Sequence, residues 1–328
     1  MKAVIYCQSK DLFQLADIPT PEIEYPHDVL IKVNAVGLNP VDAKVDQWHE
    51  MVYGMTDQFV GGLDVSGEIT QIGDSVTEWE VGDRVVYHGN MRRAHGGFAE
   101  YAIHDSRTLL THPKIAIEKT AVIPCAAWTA YRALVDKLRI STRQSIFIAG
   151  GAGGVGSFAI QLAKQFGVPT IITTATTKNH DYLHRLGATH TVDYLNENVI
   201  QKVISITNGM GVDVSLDCVG GDSAIDCANV LAYEGEMVEL VQLSQPSDYN
   251  NAFLKGLTFH QLSLGSGHVY GDKGQSAMVE AGYAVNSMIE RNDIQLPHIE
   301  VITLDQIPDA LYRIRQQRTV GKIVAKLA

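Results

Sequence analysis

Residues 146–156 read IFIAGGAGGVG, and the fold turns on this run. Residues 145–149 read as a short apolar strand that ends in glycines. Gly151, Gly153 and Gly156 then make G-x-G-x-x-G. Beyond them Val155, Phe158, Ala159, Leu162, Ala163 and Phe166 share one helical stripe. Gly167 stops that helix, Pro169 follows, and residues 170–174 read as a second strand. A glycine pattern alone says little, but strand, glycines, helix and strand in this order predict a dinucleotide-binding turn. Gly151 permits the tight turn, Gly153 lets backbone amides approach a pyrophosphate, and Gly156 seats the helix against the strand. The positive end of the helix dipole adds to the attraction. A nucleoside-triphosphate loop is excluded, because Gly156 is followed by Ser157 and Phe158 and not by Lys and a hydroxyl.

The end of the second strand speaks to which dinucleotide. NAD sites place Asp or Glu there for the ribose 2′-hydroxyl. No acidic residue lies between Ser157 and His180, and residues 173–179 read TTATTKN. Thr174, Thr176 and Lys178 suit a 2′-phosphate, which a carboxylate would repel, so NADP(H) is expected. The alternative is that Lys178 is an ordinary solvated lysine.

Outward from this run the alternation continues. Residues 181–186 read as a helix, and 212–217 and 237–241 as strands, which predicts an α/β unit with a parallel sheet. Residues 1 to about 120 differ. Short strand-like runs at 1–6, 28–35, 67–72, 83–87 and 98–103 are broken by turns such as Gly73-Asp74 and Gly82-Asp83. The tail returns to this texture, with strands at 301–304 and 322–326 around a helix at 306–315 that Asp305 is expected to cap.

Composition bounds the rest. The 328 residues suggest about two domains. A net charge of −11 without a basic run disfavours nucleic acid and anionic membranes. There is no apolar stretch of about 18 residues to span a bilayer, and residues 1–6 do not look like a signal peptide. Cys7, Cys125, Cys218 and Cys227 are dispersed, which fits a reducing cytoplasm and not a disulfide framework.

With these features together the chain resembles the medium-chain dehydrogenase/reductase superfamily, and within it the zinc-free quinone oxidoreductase branch. The matching motifs are GLNPVD at 37–42, GLDVSG at 62–67, VGDRV at 81–85, GGFAEY at 96–101, TAY at 129–131, the glycine turn, LGA at 186–188, VDY at 192–194, GVD at 211–213 and GKIV at 321–324. The resemblance implies a GroES-like β-rich catalytic domain, residues 1–121 and 292–328. A Rossmann doubly wound parallel-sheet domain, 122–291, is inserted in it. It implies a homodimer through sheet-edge pairing, with the strand at 257–264 as the candidate edge.

The resemblance also bears on metal. Zinc alcohol dehydrogenases of the family carry Cys where this chain has Asn39, and a His-Glu pair where it has Leu63 and Asp64. Only Cys125 matches a ligand position, and residues 88–105 lack the four cysteines of a structural zinc lobe. His88, His95 and His104 show no ligand spacing and read as surface or loop histidines. No metal is expected. Without a Lewis acid, alcohol oxidation loses its alkoxide stabiliser. Hydride delivery to a quinone or an α,β-unsaturated carbonyl remains open, because the acceptor's own oxygen takes the developing charge.

The resemblance further assigns residues. Gly151, Gly153, Gly154, Val155 and Gly156 go to the pyrophosphate, and Thr174, Thr176, Lys178 and Tyr194 to the adenosine phosphate. Thr129, Cys218, Val219, Val241, Gln242, Leu264 and Gly265 go to the nicotinamide half. Lys322 is a candidate phosphate partner or a structural lysine. Asn39 faces the acceptor or braces its loop. Tyr53 donates a proton or packs, in competition with Trp48. Asp64 acts as a base or tethers. The readings left open are a quinone or enone reductase, an enoyl-thioester or 2-alkenal reductase, and a low-turnover NADPH-binding redox sensor.

Overall fold

The computed structural model describes residues 1–241, 249, 251–316 and 319–327. The chain forms two compact units.

The second unit, Ala126–Ser263 with Arg291–Pro297, is built on a six-stranded all-parallel sheet. Its spatial order is His190–Val192, Thr170–Thr174, Ser145–Ala149, Val212–Asp217, Leu231–Glu239 and Thr258–Gln261. Numbered along this unit, the order is 3-2-1-4-5-6. The direction of winding therefore reverses beside Ser145–Ala149, and in open α/β sheets ligands bind outside the carboxyl ends of the strands at that reversal. Ser145–Ala149 is buried along its whole length, which explains its unbroken apolar run. The helix Gly154–Gln165 that follows buries every residue from Gly156 to Ala163.

The first unit comprises Met1–Cys125, Leu264–Glu290 and His298–Ala328. Its seven-stranded sheet runs Ile299–Ile302, Lys322–Lys326, Asp28–Leu38, Asp64–Ile72, Arg84–His88 and Leu110–Thr111, with Tyr101–Asp105 also paired to Asp28–Leu38. A smaller sheet orders Leu12–Asp17, Lys2–Cys7 and Phe59–Val60. The alternating apolar residues of these strands, among them Val29, Ile31, Val33, Val65 and Val85, form one core. Register matters for the site. Asp64 lies opposite Gly37 on one side and His88 on the other, and Ile323 lies opposite Leu38. A side chain on Gly37 would meet the Ala121 carbonyl oxygen at 2.1 Å, so only glycine lets the segment leading to Cys125 approach this strand.

The strands expected at 145–149, 170–174, 212–217 and 322–326 form at those bounds. Others differ. The run at 98–103 becomes a continuous strand only from Tyr101, after a single antiparallel bridge between Ala99 and Ala3. The strand expected at 237–241 is Leu231–Glu239. Thr303, not Asp305, caps the tail helix entry, in a capping box with Gln306. The longest helix, Gly271–Glu290, has no counterpart in the sequence reading. Its buried stripe of Gln275, Met278, Gly282, Val285 and Ile289 mixes polar and small residues, so the apolar period is weak. This helix packs on Leu264–Val269 through a glycine contact: side chains on Gly267 or Gly274 would run into the other segment. The helix also packs on Ser106–Thr108 and Leu110–Thr111, and Leu264–Glu290 falls in the first unit, whereas the expected boundary at 291 would assign it to the second.

Candidate functional site

Two polar loci stand out, one in each unit. The first is the carboxyl edge of the parallel sheet. Gly150, not Gly151, takes the left-handed turn, with φ of +77°. Gly151 is needed for a different reason. A side chain there would sit 2.1 Å from Thr173 Oγ1. At Gly156 it would sit 2.4 Å from the Gly150 carbonyl oxygen, which fixes how closely the helix seats. At Gly153 nothing but the Gly150 oxygen, at 3.3 Å, stands near, so this position faces open space.

Thr174 braces the turn from the neighbouring strand. Its Oγ1 accepts from the Gly150 amide at 3.0 Å, and its carbonyl oxygen accepts from the Gly151 amide at 3.1 Å. The Ser157 amide donates to Gly153, leaving the amides of Gly154, Val155 and Gly156 in the first turn, where a helix offers donors without intrahelical acceptors. That geometry suits an anion.

Around this turn, Thr176 is half-buried and accepts from Asn179 Nδ2, while Lys178 and Tyr194 are exposed. Thr129 is buried at the start of the short helix Thr129–Tyr131, between π-helical stretches, a distortion frequent at functional sites. Cys218 and Val219 follow the strand Val212–Asp217, and Val219 crowds the space above Gly150. Burial and the nearby Asp217 charge push the Cys218 thiol well up, so it is a packing group and not a nucleophile. Val241 is exposed, and Gln242 lies outside the described residues.

Two carboxylates here were missed from sequence. Asp217 accepts from the amides of Val219 and Gly220 at 3.0 Å and so shapes the strand-end turn. Asp193 arrives from the third strand and accepts from Thr177, the Leu195 amide and Asn196. The Thr177 hydroxyl, then Asn196 and the Leu195 amide, push its carboxyl down to about 2.

The second locus is a buried cluster in the first unit. Asn39 caps the helix Pro40–Ala43. Asn39 Nδ2 donates to Asp64 Oδ2 at 3.0 Å, its backbone N–H donates to Asp42 at 2.8 Å, and its Oδ1 accepts from Lys322. Asp64 is fully buried (0 % exposed). Its Oδ1 accepts from the Cys125 amide at 2.8 Å and pairs with His88 Nδ1 at 3.1 Å. Burial alone would raise the Asp64 carboxyl. The Lys322 charge and the hydrogen bonds from His88 and Asn39 outweigh it and hold the group below its ordinary value. Asp42 goes the other way: burial, then the charge of Asp64, push it up to about 7.

Lys322 is 4 % exposed. Its ammonium donates to the Leu38 carbonyl oxygen at 3.2 Å, to Asn39 Oδ1 and to Asp64 Oδ2 at 3.4 Å. An ammonium has three donors, and all three are used here, so the expected role of Lys322 as a phosphate partner is corrected.

The structure thus brings Asn39, Asp64 and Lys322 together and leaves Tyr53 apart, fully exposed. Trp48, its competitor, is a core residue, with Nε1 donating to the Val41 carbonyl oxygen and its ring against Phe59. Leu264 is buried, and Gly265 lies beside His88. His88 and His104 are buried strand residues, not surface or loop histidines. His104 stacks on Tyr87 at 4.0 Å, and His268 donates to the His88 carbonyl oxygen at 2.8 Å. Burial pushes His268 down to about 4 and His104 well below its ordinary value, so both are neutral at pH 7. His88 was missed because its partnership with Asp64 depends on strand register. The strands at 67–72 and 83–87 were visible, but not their pairing.

Asp64, His88 and Cys125 have ligand atoms within 4.8 Å of one another, a possible metal triad. The donor chemistry does not fit zinc. Both Asp64 oxygens are committed, one to the Lys322 ammonium and Asn39 and the other to His88 and the Cys125 amide.

Comparison with known proteins finds two family matches along the chain. A family described as alcohol dehydrogenase GroES-like domain matches residues 25–114, and one described as zinc-binding dehydrogenase matches residues 154–281. The quinone oxidoreductase of Homo sapiens is 29% identical over 68% of this chain and 67% of that protein. The trans-enoyl reductase tazE of Aspergillus terreus is 34% identical over 59% of this chain and 68% of that protein. The chain spans 63% of the synaptic vesicle membrane protein VAT-1 homolog of Danio rerio, at 27% identity. The quinone oxidoreductase structure from Coxiella burnetii superposes with a TM-score of 0.86 at 27% identity, covering 100% of this chain and 99% of that one. The Escherichia coli quinone oxidoreductase complexed with NADPH shares the fold, with a TM-score of 0.84 at 21% identity over 99% of this chain and 100% of that one. The chain belongs to the medium-chain dehydrogenase/reductase superfamily, in its quinone oxidoreductase-like branch.

Proposed function

We propose that this chain is an NADP(H)-dependent oxidoreductase that passes hydride to a quinone or an α,β-unsaturated carbonyl without zinc. The observation that carries the reading is the glycine turn at the switch point of a parallel sheet, with Thr174 ending the second strand and Lys178 following it in the turn Thr177–Asn179. Its experiment is cofactor choice: NADPH is expected to bind more tightly than NADH, and equal affinity would count against it.

Bound at this turn, the cofactor supplies a hydride from its nicotinamide ring. The amides of Gly154, Val155 and Gly156 hold the pyrophosphate, with Gly151 and Gly153 leaving room for it. Thr174 keeps the turn in shape. Thr176, Lys178 and Tyr194 take the 2′-phosphate end. Thr129, Cys218, Val219, Val241, Gln242, Leu264 and Gly265 serve the nicotinamide half. The Asp193 oxygens accept hydrogen bonds from Thr177, the Leu195 amide and Asn196.

In the substrate domain, Asn39 Nδ2 has two hydrogens. One goes to Asp64, and this reading gives the other to the acceptor's carbonyl oxygen. Asp64 and Lys322 are positioning residues that hold the amide from both ends. Asp64 is a poor proton source because its carboxyl is held ionised. The proton therefore comes from Tyr53 or water.

The similarity to a trans-enoyl reductase at 34% identity supports a second reading, an enoyl-thioester or 2-alkenal reductase. NADPH oxidation against benzoquinone, phenanthrenequinone, 2-alkenals and crotonyl-CoA separates the two. Tight NADPH binding without oxidation by any of them points to a redox sensor instead. The division into a GroES-like domain at 1–121 and 292–328 and an NADP(H) domain at 122–291 belongs to this proposal, with helix Gly271–Glu290 packing in the former unit. So does a homodimer through the outer strand Thr258–Gln261, whose far edge has no partner strand among the described residues. Sedimentation tests it. No helix among the described residues is long and apolar enough to cross a membrane, and the four free cysteines support a cytoplasmic assignment.

A further inference from the structure

We propose that Lys322 is the resident cation of the buried cluster and that its ammonium is what keeps a divalent metal from the Asp64, His88 and Cys125 triad. The inference rests on the zinc-independent part of the proposed function and gives it a physical cause.

Three observations carry it. Asp64, His88 and Cys125 already stand within 4.8 Å of one another, so distance does not prevent coordination. Three side chains of this kind plus an open position are what a catalytic zinc uses. The missing condition is an uncommitted carboxylate. Asp64 Oδ2 lies 3.4 Å from Lys322 Nζ, and both groups are buried. A buried carboxylate needs a compensating cation, and here it has one held in place by the Leu38 carbonyl oxygen and Asn39 Oδ1. A metal ion bound to Asp64 would face that ammonium at short range in a poorly solvated site.

The chain route explains why the lysine cannot swing away. Lys322 opens the strand Lys322–Lys326, which pairs antiparallel with Asp28–Leu38, with Ile323 opposite Leu38. Gly321 before it has a φ of +74°, and a side chain there would meet the His298 carbonyl oxygen at 2.2 Å. The strand start is therefore fixed from both sides, and the side chain is buried in the cluster.

Replacing the ammonium by an apolar chain of similar length should leave the triad free to coordinate. On binding, the Cys125 thiol would release its proton to solvent as a metal–sulfur bond forms, and no electron would be transferred. Co(II) is the probe, since a thiolate ligand gives it a near-ultraviolet charge-transfer band. The unaltered chain, freed of metal with a chelator, is expected to bind no stoichiometric Co(II), and Lys322→Arg, which keeps the cation, is expected to behave the same way. Lys322→Met is expected to bind one Co(II) per chain, at least about a hundredfold more tightly than the parent. Its thiolate band should disappear in Lys322→Met/Cys125→Ser.

One tightly held Co(II) in the parent chain would overturn this inference and the zinc-free reading together. A folded Lys322→Met that binds no Co(II) would overturn only this inference. If Lys322→Met does not fold, the neutral pair Lys322→Met/Asp64→Asn decides. Recovery of folded protein supports Lys322 as the required partner of Asp64, and failure to recover contradicts it. Failure of every quinone and enone as an acceptor would leave the cobalt result untouched.

Discussion

The glycine turn and the buried cluster solve opposite problems. The turn is made of backbone. Its donors point outward, and its constraint is the absence of Cβ atoms at Gly151 and Gly156. The cluster is made of side chains. Its donors and acceptors are turned mainly on one another, and its constraint is charge balance around Asp64. A backbone site is broken by adding atoms, whereas a charge-balanced site is broken by removing one partner.

The largest effect is expected in the cluster. Asp64→Ala leaves the Lys322 ammonium buried without its carboxylate and should cost about 3–5 kcal/mol of stability, read by urea denaturation. The same variant should lose an acid-side dependence. Because Asp64 is held below its unfolded value, its contribution is full above that value and fades as pH falls through the lowered folded one. Asp42 should show the opposite slope. Its folded value of about 7 lies above the unfolded one, so the folded state holds the extra proton between them. Its ionisation therefore costs stability progressively as pH rises from about 4 to about 7. Asp42→Asn should flatten that decline in a series of thermal melts.

The turn should respond in graded steps. Gly156→Ala forces a side chain to 2.4 Å from the Gly150 oxygen and 2.7 Å from Gly151 Cα, both backbone. A loss of about 1–3 kcal/mol is expected, together with NADPH binding. Gly153→Ala meets only one atom, at 3.3 Å, and should fold nearly as the parent does while binding NADPH less well. Equal destabilisation of the two would contradict the assignment of separate roles to these glycines.

Smaller effects lie at the periphery. Lys178→Ala should weaken NADPH about tenfold and leave NADH unchanged, measured by fluorescence titration. Tyr53→Phe should alter stability by no more than about 0.5 kcal/mol, since the ring is exposed. Its turnover rate then decides whether Tyr53 donates the proton or water does.

The same contrast explains what the sequence could show. The turn is contiguous, so its strand, glycines and helix were readable from residues 146–167, and the sheet around it followed from local alternation. Even there the left-handed position was misplaced by one residue, from Gly150 to Gly151, because consecutive glycines look alike in one dimension. The cluster is assembled from five separated segments. Asn39, Asp64 and Cys125 were visible only as positions where a metal-binding pattern is altered. His88 and the inward course of Lys322 depend on strand register, which an apolar pattern at either strand does not fix. The helix Gly271–Glu290 escaped for a third reason: its packing surface uses glycine, glutamine and asparagine in place of large apolar side chains.

The most direct test of the account is NADPH oxidation by protein shown by metal analysis to be free of zinc, with benzoquinone and a 2-alkenal as acceptors. The account predicts turnover with NADPH, much less with NADH, and no gain on adding zinc. Turnover that appears only when zinc is supplied would contradict it.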